Sequence, residues 1–227
     1  MRTLVIGDIH GCHRELNLLL DKAGLSSRDR IVALGDIVDR GPSSWEVADF
    51  FRTHKGALAL LGNHERKHLR WMSSESKPTP SQRITRWQLR ERYLDLLNYL
   101  RSLPLFMNLP EAVLVHGYLE PGVRLNEQWD SVLTGATSGE QFMRYNYHQP
   151  WYQLYRGHKP VIAGHTDYLR NGKPFIYKDR VFGIDTSCVR GGWLTGIVLP
   201  EWRIVSVKAR ADYWTRVQTK YMLARLK

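Results

Sequence analysis

Gly35-Asp36-Ile37-Val38-Asp39-Arg40-Gly41 follows the apolar run Ile31-Val32-Ala33-Leu34 and precedes a helix expected to open near Ser43-Ser44. It sets two carboxylates and an arginine in a glycine-bounded turn at the end of a predicted strand. Glycine reaches backbone conformations that other residues resist, so such a turn can carry side chains close to a ligand. The same arrangement recurs on either side. Thr3-Leu4-Val5-Ile6 reads as a buried strand ended by Gly7-Asp8-Ile9-His10-Gly11. Residues 57–61 read as a third strand, ended by Gly62-Asn63-His64-Glu65. Leu16, Leu18, Leu19 and Leu20 predict a helix reaching Ala23 and stopped by Gly24; Trp45, Val47, Ala48, Phe50 and Phe51 predict another after Pro42. Strand, polar turn and helix in alternation point to an α/β architecture. In open α/β sheets, ligands gather beyond the carboxyl ends of the strands.

The rest of the chain is less regular. Residues 73–81 are rich in loop formers. A helix is expected over 84–100, from Ile84, Trp87, Leu94, Leu97 and Leu100. Strands are expected at 112–115, before His116-Gly117, and at 160–163, before Gly164-His165-Thr166. The aromatic-rich stretch 129–155 suggests a helix at 139–147. Strand-like runs follow at 175–177, 181–184, 194–199 and 204–207, the last two reading as a hairpin, and a basic helix is expected over 212–227. Helices with strands first, then mostly strands, suggest two packed mixed β-sheets flanked by helices, in one domain spanning 1–227 with a helical insertion at about 73–100 that shapes the substrate cleft.

Composition excludes some classes. The 227 residues are 43% hydrophobic and 24% charged, as in an ordinary globular chain. No run approaches the ~20 apolar residues of a membrane span, and the N-terminus shows no signal-peptide pattern, so a cytoplasmic protein with no membrane partner is expected. Cys12 and Cys188 are too few and too far apart for a disulfide framework and read as free thiols in a reducing compartment. The formal charge of +11 favours phosphate-bearing partners and gives weak support to nucleic acid. The densest basic run, Arg83, Arg86, Arg90 and Arg92, reads as a solvated helix face. Trp71, Trp87, Trp129 and Trp193 read as core residues.

Five polar clusters each follow a strand, and Asp8, His10, Asp36, Asn63, His116 and His165 are candidate metal ligands. Carboxylate, imidazole and amide oxygen form the donor mixture expected for two first-row divalent ions, Mn²⁺ first, with Fe²⁺ or Zn²⁺ as alternatives. A carboxylate shared between two ions holds them roughly 3.5–4 Å apart, as in two-metal phosphoryl chemistry. His68, four residues after His64, is treated as incidental, along with His13, His54, His148 and His158; Glu65 is read as structural.

These blocks, in this order, resemble the signature blocks of the phosphoprotein phosphatase family of binuclear metallophosphoesterases. Residues 184–195, with Asp185-Thr186 and Gly191-Gly192, are most similar to small bacterial and phage members, which include protein phosphatases and symmetrical diadenosine tetraphosphate hydrolases. Ser187 and Arg190 depart from what close relatives carry there. The resemblance implies the calcineurin-like metallophosphoesterase fold. It also implies roles: Asp8 and His10 on one metal, Asp36 as the bridge, and Asn63, His116 and His165 on the other. A metal-bridging hydroxide would attack phosphorus directly. His64 would protonate the leaving oxygen, oriented by Asp39. Arg40, Asn63 and a second arginine, Arg144 before Arg156, would hold the phosphate. The expected reaction is hydrolysis of a phosphate monoester, first of all phosphoserine or phosphothreonine in proteins. The alternatives are symmetrical hydrolysis of a dinucleoside polyphosphate such as diadenosine tetraphosphate, and removal of phosphate from a nucleic-acid end. A metal-binding module without catalysis is disfavoured because His64, Asp39 and Arg40 are all present.

Overall fold

The computed structural model describes residues 1–226. In chain order the elements are β1 (Thr3–Ile6), α1 (His13–Ala23), β2 (Arg30–Ala33), α2 (Ser44–Thr53), β3 (Ala57–Ala59), α3 (Asn63–Met72), α4 (Pro80–Leu89), α5 (Tyr93–Leu100), β4 (Phe106–Asn108) and β5 (Val113–Val115). They continue with α6 (Asp130–Leu133), α7 (Thr137–Asn146), α8 (Trp151–Leu154), β6 (Val161–Ala163), β7 (Phe175–Tyr177), β8 (Val181–Gly183), β9 (Trp193–Leu199), β10 (Arg203–Lys208) and α9 (Tyr213–Arg225). Of the basic helix expected at the end of the chain, Lys227 lies outside the described residues.

One sheet has the order β10-β9-β1-β2-β3 and the other β4-β5-β6-β8-β7. In the first, β1, β2 and β3 are parallel, β9 runs antiparallel to β1, and β10 runs antiparallel to β9. In the second, β5, β6 and β8 are parallel, and β4 and β7 run antiparallel at the edges. Side-chain alternation explains why the central strands read as unbroken apolar runs. Val5, Val32, Leu114 and Ile162 meet between the sheets. Their neighbours Leu4, Ile6, Ile31 and Ala33 face a helical layer that includes Leu16, Leu19, Val47, Phe51 and Leu96. Val113, Val115, Val161 and Ala163 face the opposite layer, with Val132, Met143 and Trp151. Both faces of each sheet are covered, so neither face of the central strands needs polar residues.

The two-sheet architecture agrees with expectation; several details differ. The helix expected over 84–100 is broken. Arg90 takes φ 51°, in the left-handed region, and Arg90–Arg92 forms one 3₁₀ turn between α4 and α5. Arg86 and Arg92 are solvated but also lie over aromatic rings, Arg86 at 5.2 Å from the Trp71 centroid and Arg92 at 5.4 Å from that of Trp45. Trp129 and Trp193 are exposed rather than core, and Trp129 stacks on Phe142 at 5.7 Å. No described helix is long and apolar enough to cross a membrane.

Leu114 is fully buried between the sheets, whereas Leu94 on α5 is 64% exposed. Leu114→Ala should cost about 2–5 kcal/mol in urea unfolding, and Leu94→Ala no more than about 0.5 kcal/mol.

Candidate active site

The carboxyl ends of β1, β2, β3, β5, β6 and β8 converge, and just past them stand Asp8, Asp36, Asn63, His116, His165 and Asp185. The two sheets therefore contribute to one cluster. His10, Asp36, Asp39, Arg40 and His165 all take φ between 47° and 72°. Non-glycine residues adopt such backbone at a cost, and such outliers concentrate at functional sites. Two glycines make room for the cluster. A Cβ at Gly62 would collide with Asp36 Oδ1, and one at Gly164 with Asp8 Oδ1.

Asp36 sits at the centre. Its Oδ2 lies 3.5 Å from His10 Nε2 and 4.0 Å from His64 Nε2, and its Oδ1 lies 3.4 Å from His116 Nε2. The His64 amide donates to Asp36 Oδ1 at 3.0 Å. Asp36, His116 and His165 form one group whose donor atoms lie within 4.8 Å of one another, and Asp36, His10 and His64 form another. Asn63 Oδ1 lies 3.3 Å from His116 Nε2. Asp8 Oδ2 lies 4.0 Å from His10 Nε2, and its Oδ1 accepts the His165 amide at 2.9 Å. All six expected ligands are thus gathered around one carboxylate that reaches both sides.

The electrostatics suit cations. Burial, followed by the charges of Asp185 and Asp36, pushes the Asp8 carboxyl well above its ordinary range. Burial also lifts Asp185 to about 6. Burial and then the Arg40 guanidinium hold His10 well below its usual pKa, and burial with His116 lowers His165 to about 3. The lowered imidazoles favour the neutral form that ligation requires, and the raised carboxyls mark crowded negative charge that a cation would offset. His10 Nδ1 faces the Val38 carbonyl at 2.9 Å; as an N–H donor there, it leaves Nε2 for the inner cluster. The residues present fit a pair of divalent ions. Asp185, noted in the sequence as part of a family-like block but not among the expected ligands, obeys the same rule of an acid just past a strand.

Asp39 is fully buried and receives three donors: His64 Nδ1 at 2.7 Å on Oδ2, with His68 Nε2 at 2.8 Å and Thr85 Oγ1 at 2.6 Å on Oδ1. Burial works against its charged form, but His68 and His64 override this and hold it well below the usual carboxylate range. His68, expected to be incidental, is instead locked between Asp39 and Tyr93, whose hydroxyl lies 2.9 Å from His68 Nδ1. Thr85 and Tyr93 come from α4 and α5, so the break at Arg90 lets both helices reach this network. The far nitrogen of His64, Nε2, is buried without a hydrogen-bond partner.

Glu65, also fully buried, accepts the amides of Asp36 at 2.8 Å, Val38 at 3.2 Å and Gly62 at 3.0 Å, as the structural reading of it requires. Arg40 Nη1 lies 2.9 Å from His10 Nε2, on the nitrogen a metal would take. Arg144 pairs with Glu140 at 2.6 Å on the rim of a cavity of about 710 Å³. Tyr118, Tyr147, Trp151, Tyr152 and Tyr168 also line this cavity, and Thr166 brings it beside His165. Tyr118 packs edge-on against His165 at 5.4 Å. Arg156 belongs to a different cavity. Trp151 is buried and donates to Tyr168 Oη at 3.0 Å.

The fold and site define a metallophosphoesterase, and comparison with known proteins agrees. The calcineurin-like phosphoesterase family matches residues 1–174, so the chain belongs to that family. It is 28% identical to bis(5'-nucleosyl)-tetraphosphatase PrpE [asymmetrical] of Bacillus subtilis, over 92% of this chain and 95% of that one. It is 30% identical to the protein of the same name from Bacillus velezensis, over 92% and 93%. The symmetrical bis(5'-nucleosyl)-tetraphosphatase of Actinobacillus pleuropneumoniae is 32% identical, but only over 62% of this chain and 51% of that one. Among solved structures, a protein provisionally described as a diadenosine tetraphosphatase superposes with a TM-score of 0.72 at 28% identity, covering 92% of this chain and 93% of that one. A yeast serine/threonine phosphatase similar to human PP5 superposes at 0.61, covering 93% and 80%; at 18% identity it shares the fold alone. The chain is thus a metal-binding phosphoester hydrolase.

His68→Leu removes one donor from the buried Asp39 carboxylate and should destabilise the fold by about 1–3 kcal/mol in urea unfolding. Its metal content should equal that of the parent, because His68 lies outside the ligand set.

Proposed function

We propose that this protein hydrolyses dinucleoside polyphosphates and cuts a dinucleoside tetraphosphate asymmetrically, into nucleoside mono- and triphosphate. The aromatic cavity beside His165 carries this reading. Its volume is in the range of small-molecule sites, and its tyrosines offer ring faces to a base while Arg144 and Arg170 stand at its edge. A phosphoserine side chain has no use for such a cavity. The Bacillus relatives that match over most of their length are both named asymmetrical bis(5'-nucleosyl)-tetraphosphatases, which favours this substrate over the phosphoprotein expected first.

Asp8, His10, Asp36, Asn63, His116 and His165 would hold two divalent ions, for which we take manganese, with iron or zinc as alternatives. When bound, such a pair supplies Lewis acidity toward the phosphoryl group and a water acidic enough to be deprotonated near neutral pH. The chain's own groups do the rest. Arg40 and Arg144 neutralise and orient phosphate oxygens. His64, with Nδ1 fixed on Asp39, presents Nε2 to the leaving oxygen and delivers its proton there. Asp39, held by His68 and Thr85, keeps that imidazole from rotating. The segment 73–100 thus supports the acid in this reading rather than shaping the cleft; residues 118–170 supply the substrate surface. Two buried thiols that remain unpaired accord with a reducing, cytoplasmic setting.

With Mn²⁺, diadenosine tetraphosphate, a phosphoserine peptide and a 5′-phosphorylated RNA should be compared by chromatography of products. The expected result is AMP and ATP from the first and slow turnover of the others; turnover of the peptide alone would overturn the reading. Tyr147→Ala should raise KM for the dinucleotide by about 10- to 100-fold, the worth of one base–aromatic stack, and leave p-nitrophenyl phosphate hydrolysis unchanged. His64→Asn should lose on the order of 10²–10⁴-fold on a serine phosphate, whose alkoxide leaving group needs the proton. Its loss on the dinucleotide should be smaller, because a nucleoside phosphate leaves readily without protonation. Asp36→Asn should weaken both metals together in equilibrium dialysis.

A further inference from the structure

Two residues beyond His10, and on the far side of the same loop from the catalytic cluster, Cys12 opens α1. Three residues beyond Asp185, Cys188 closes another site loop. Cys12 and Cys188 stand 176 positions apart in the chain, yet Cys12, Cys188 and Glu15 present their sulfurs and a carboxylate oxygen within 4.8 Å of one another. All three are buried, with Cys12 and Cys188 each 1% exposed and Glu15 0%. The surroundings are apolar, with Val189, Leu194 and Ala209 in the same packed layer.

Glu15 is the unusual member. Its Oε1 is fully engaged, accepting Tyr213 Oη at 2.9 Å, the Arg210 amide at 3.2 Å and Arg14 Nη1 at 3.3 Å. Its Oε2 is buried with no partner. A bare carboxylate oxygen in an apolar interior is costly unless something positive meets it. The catalytic histidines and carboxylates do not use this group, and no catalytic role calls for the thiols.

We propose that Cys12, Glu15 and Cys188 form a second, sulfur-containing cation site, selective for a thiophilic divalent ion such as Zn²⁺. Two thiolates and one carboxylate are donors zinc accepts, at about 2.3 Å for sulfur and 2.0–2.2 Å for oxygen. Such bonds bring donor atoms to within about 3.3–3.8 Å of one another, so the side chains need to close by no more than about 1.5 Å. Binding releases the two thiol protons to solvent. The catalytic cluster offers carboxylate, amide and imidazole donors and no sulfur, so manganese would favour it and a thiophilic ion this one. A bound ion ties the loop after β1 to the loop after β8 and, through Tyr213, to α9.

Cys12 and Cys188 are the chain's only cysteines, and the catalytic set contains no sulfur. A sulfur-to-cadmium charge-transfer band therefore reports this cluster and nothing else. Reduced protein preloaded with Mn²⁺ is titrated with Cd²⁺ under reductant, followed by ultraviolet absorbance and metal analysis. The expected result is a band saturating at one Cd²⁺ per chain and displaced by Zn²⁺. Cys188→Ser should abolish it. Glu15→Gln keeps an acceptor for Tyr213 and removes the charge, and should weaken the titration by about 10- to 100-fold. Should the cysteine variant not fold, the wild-type titration and Glu15→Gln decide alone. No band in the wild type, an undiminished band in Cys188→Ser or Glu15→Gln, or a Cys12–Cys188 disulfide formed in place of metal binding would each overturn the proposal.

Discussion

The site depends on one buried carboxylate that touches no substrate. Glu65 reaches back from the first turn of α3 and gathers the amides of Asp36, Val38 and Gly62. Two loops that follow different strands are thereby pinned to one another. Asp36, Asp39 and Arg40 hold backbone conformations that none would adopt alone, and the loop keeps them because its donors have nowhere else to go. Burial and the charge of Asp36 push Glu65 up to about 8, while the amides pull the other way.

Around this anchor the charges separate into two kinds. Asp8, Asp36 and Asp185 crowd together without enough protein cations to balance them, which is the condition of a metal site. Asp39 is the opposite case: three donors neutralise it, so it can serve only to hold His64. The same residue type performs both tasks, a few residues apart, because one side chain points into the cluster and the other into a shell of hydrogen bonds supplied by α3, α4 and α5.

Much of this could be read in the chain because the ligands follow strands in short motifs. A strand fixes where its successor residue emerges, so Asp8, Asp36, Asn63, His116 and His165 were legible along with the architecture. His68 was not. Its meaning lies in Tyr93 and Asp39, which are 25 and 29 residues away, and an isolated histidine on a helix carries no mark of such partners. Thr85 and the break at Arg90 were hidden for the same reason: apolar spacing alone runs through the break without interruption. The substrate cavity was the least legible part. Tyr118 and Tyr168 come from two loops and Trp151 from the short helix α8, with no shared periodicity, and only their folding together makes a wall.

The convergence of both sheets on one cluster has a mechanical side. Asp8 belongs to the first sheet and His165 to the second, with 157 residues of chain between them. A cation held by side chains from both would be a clasp across the sandwich, closing a loop of more than half the chain. Undocking of the two sheets would dismantle the clasp at once. Conversely, a loaded clasp resists shear between the sheets, so the catalyst and the hinge that keeps its halves together are the same object.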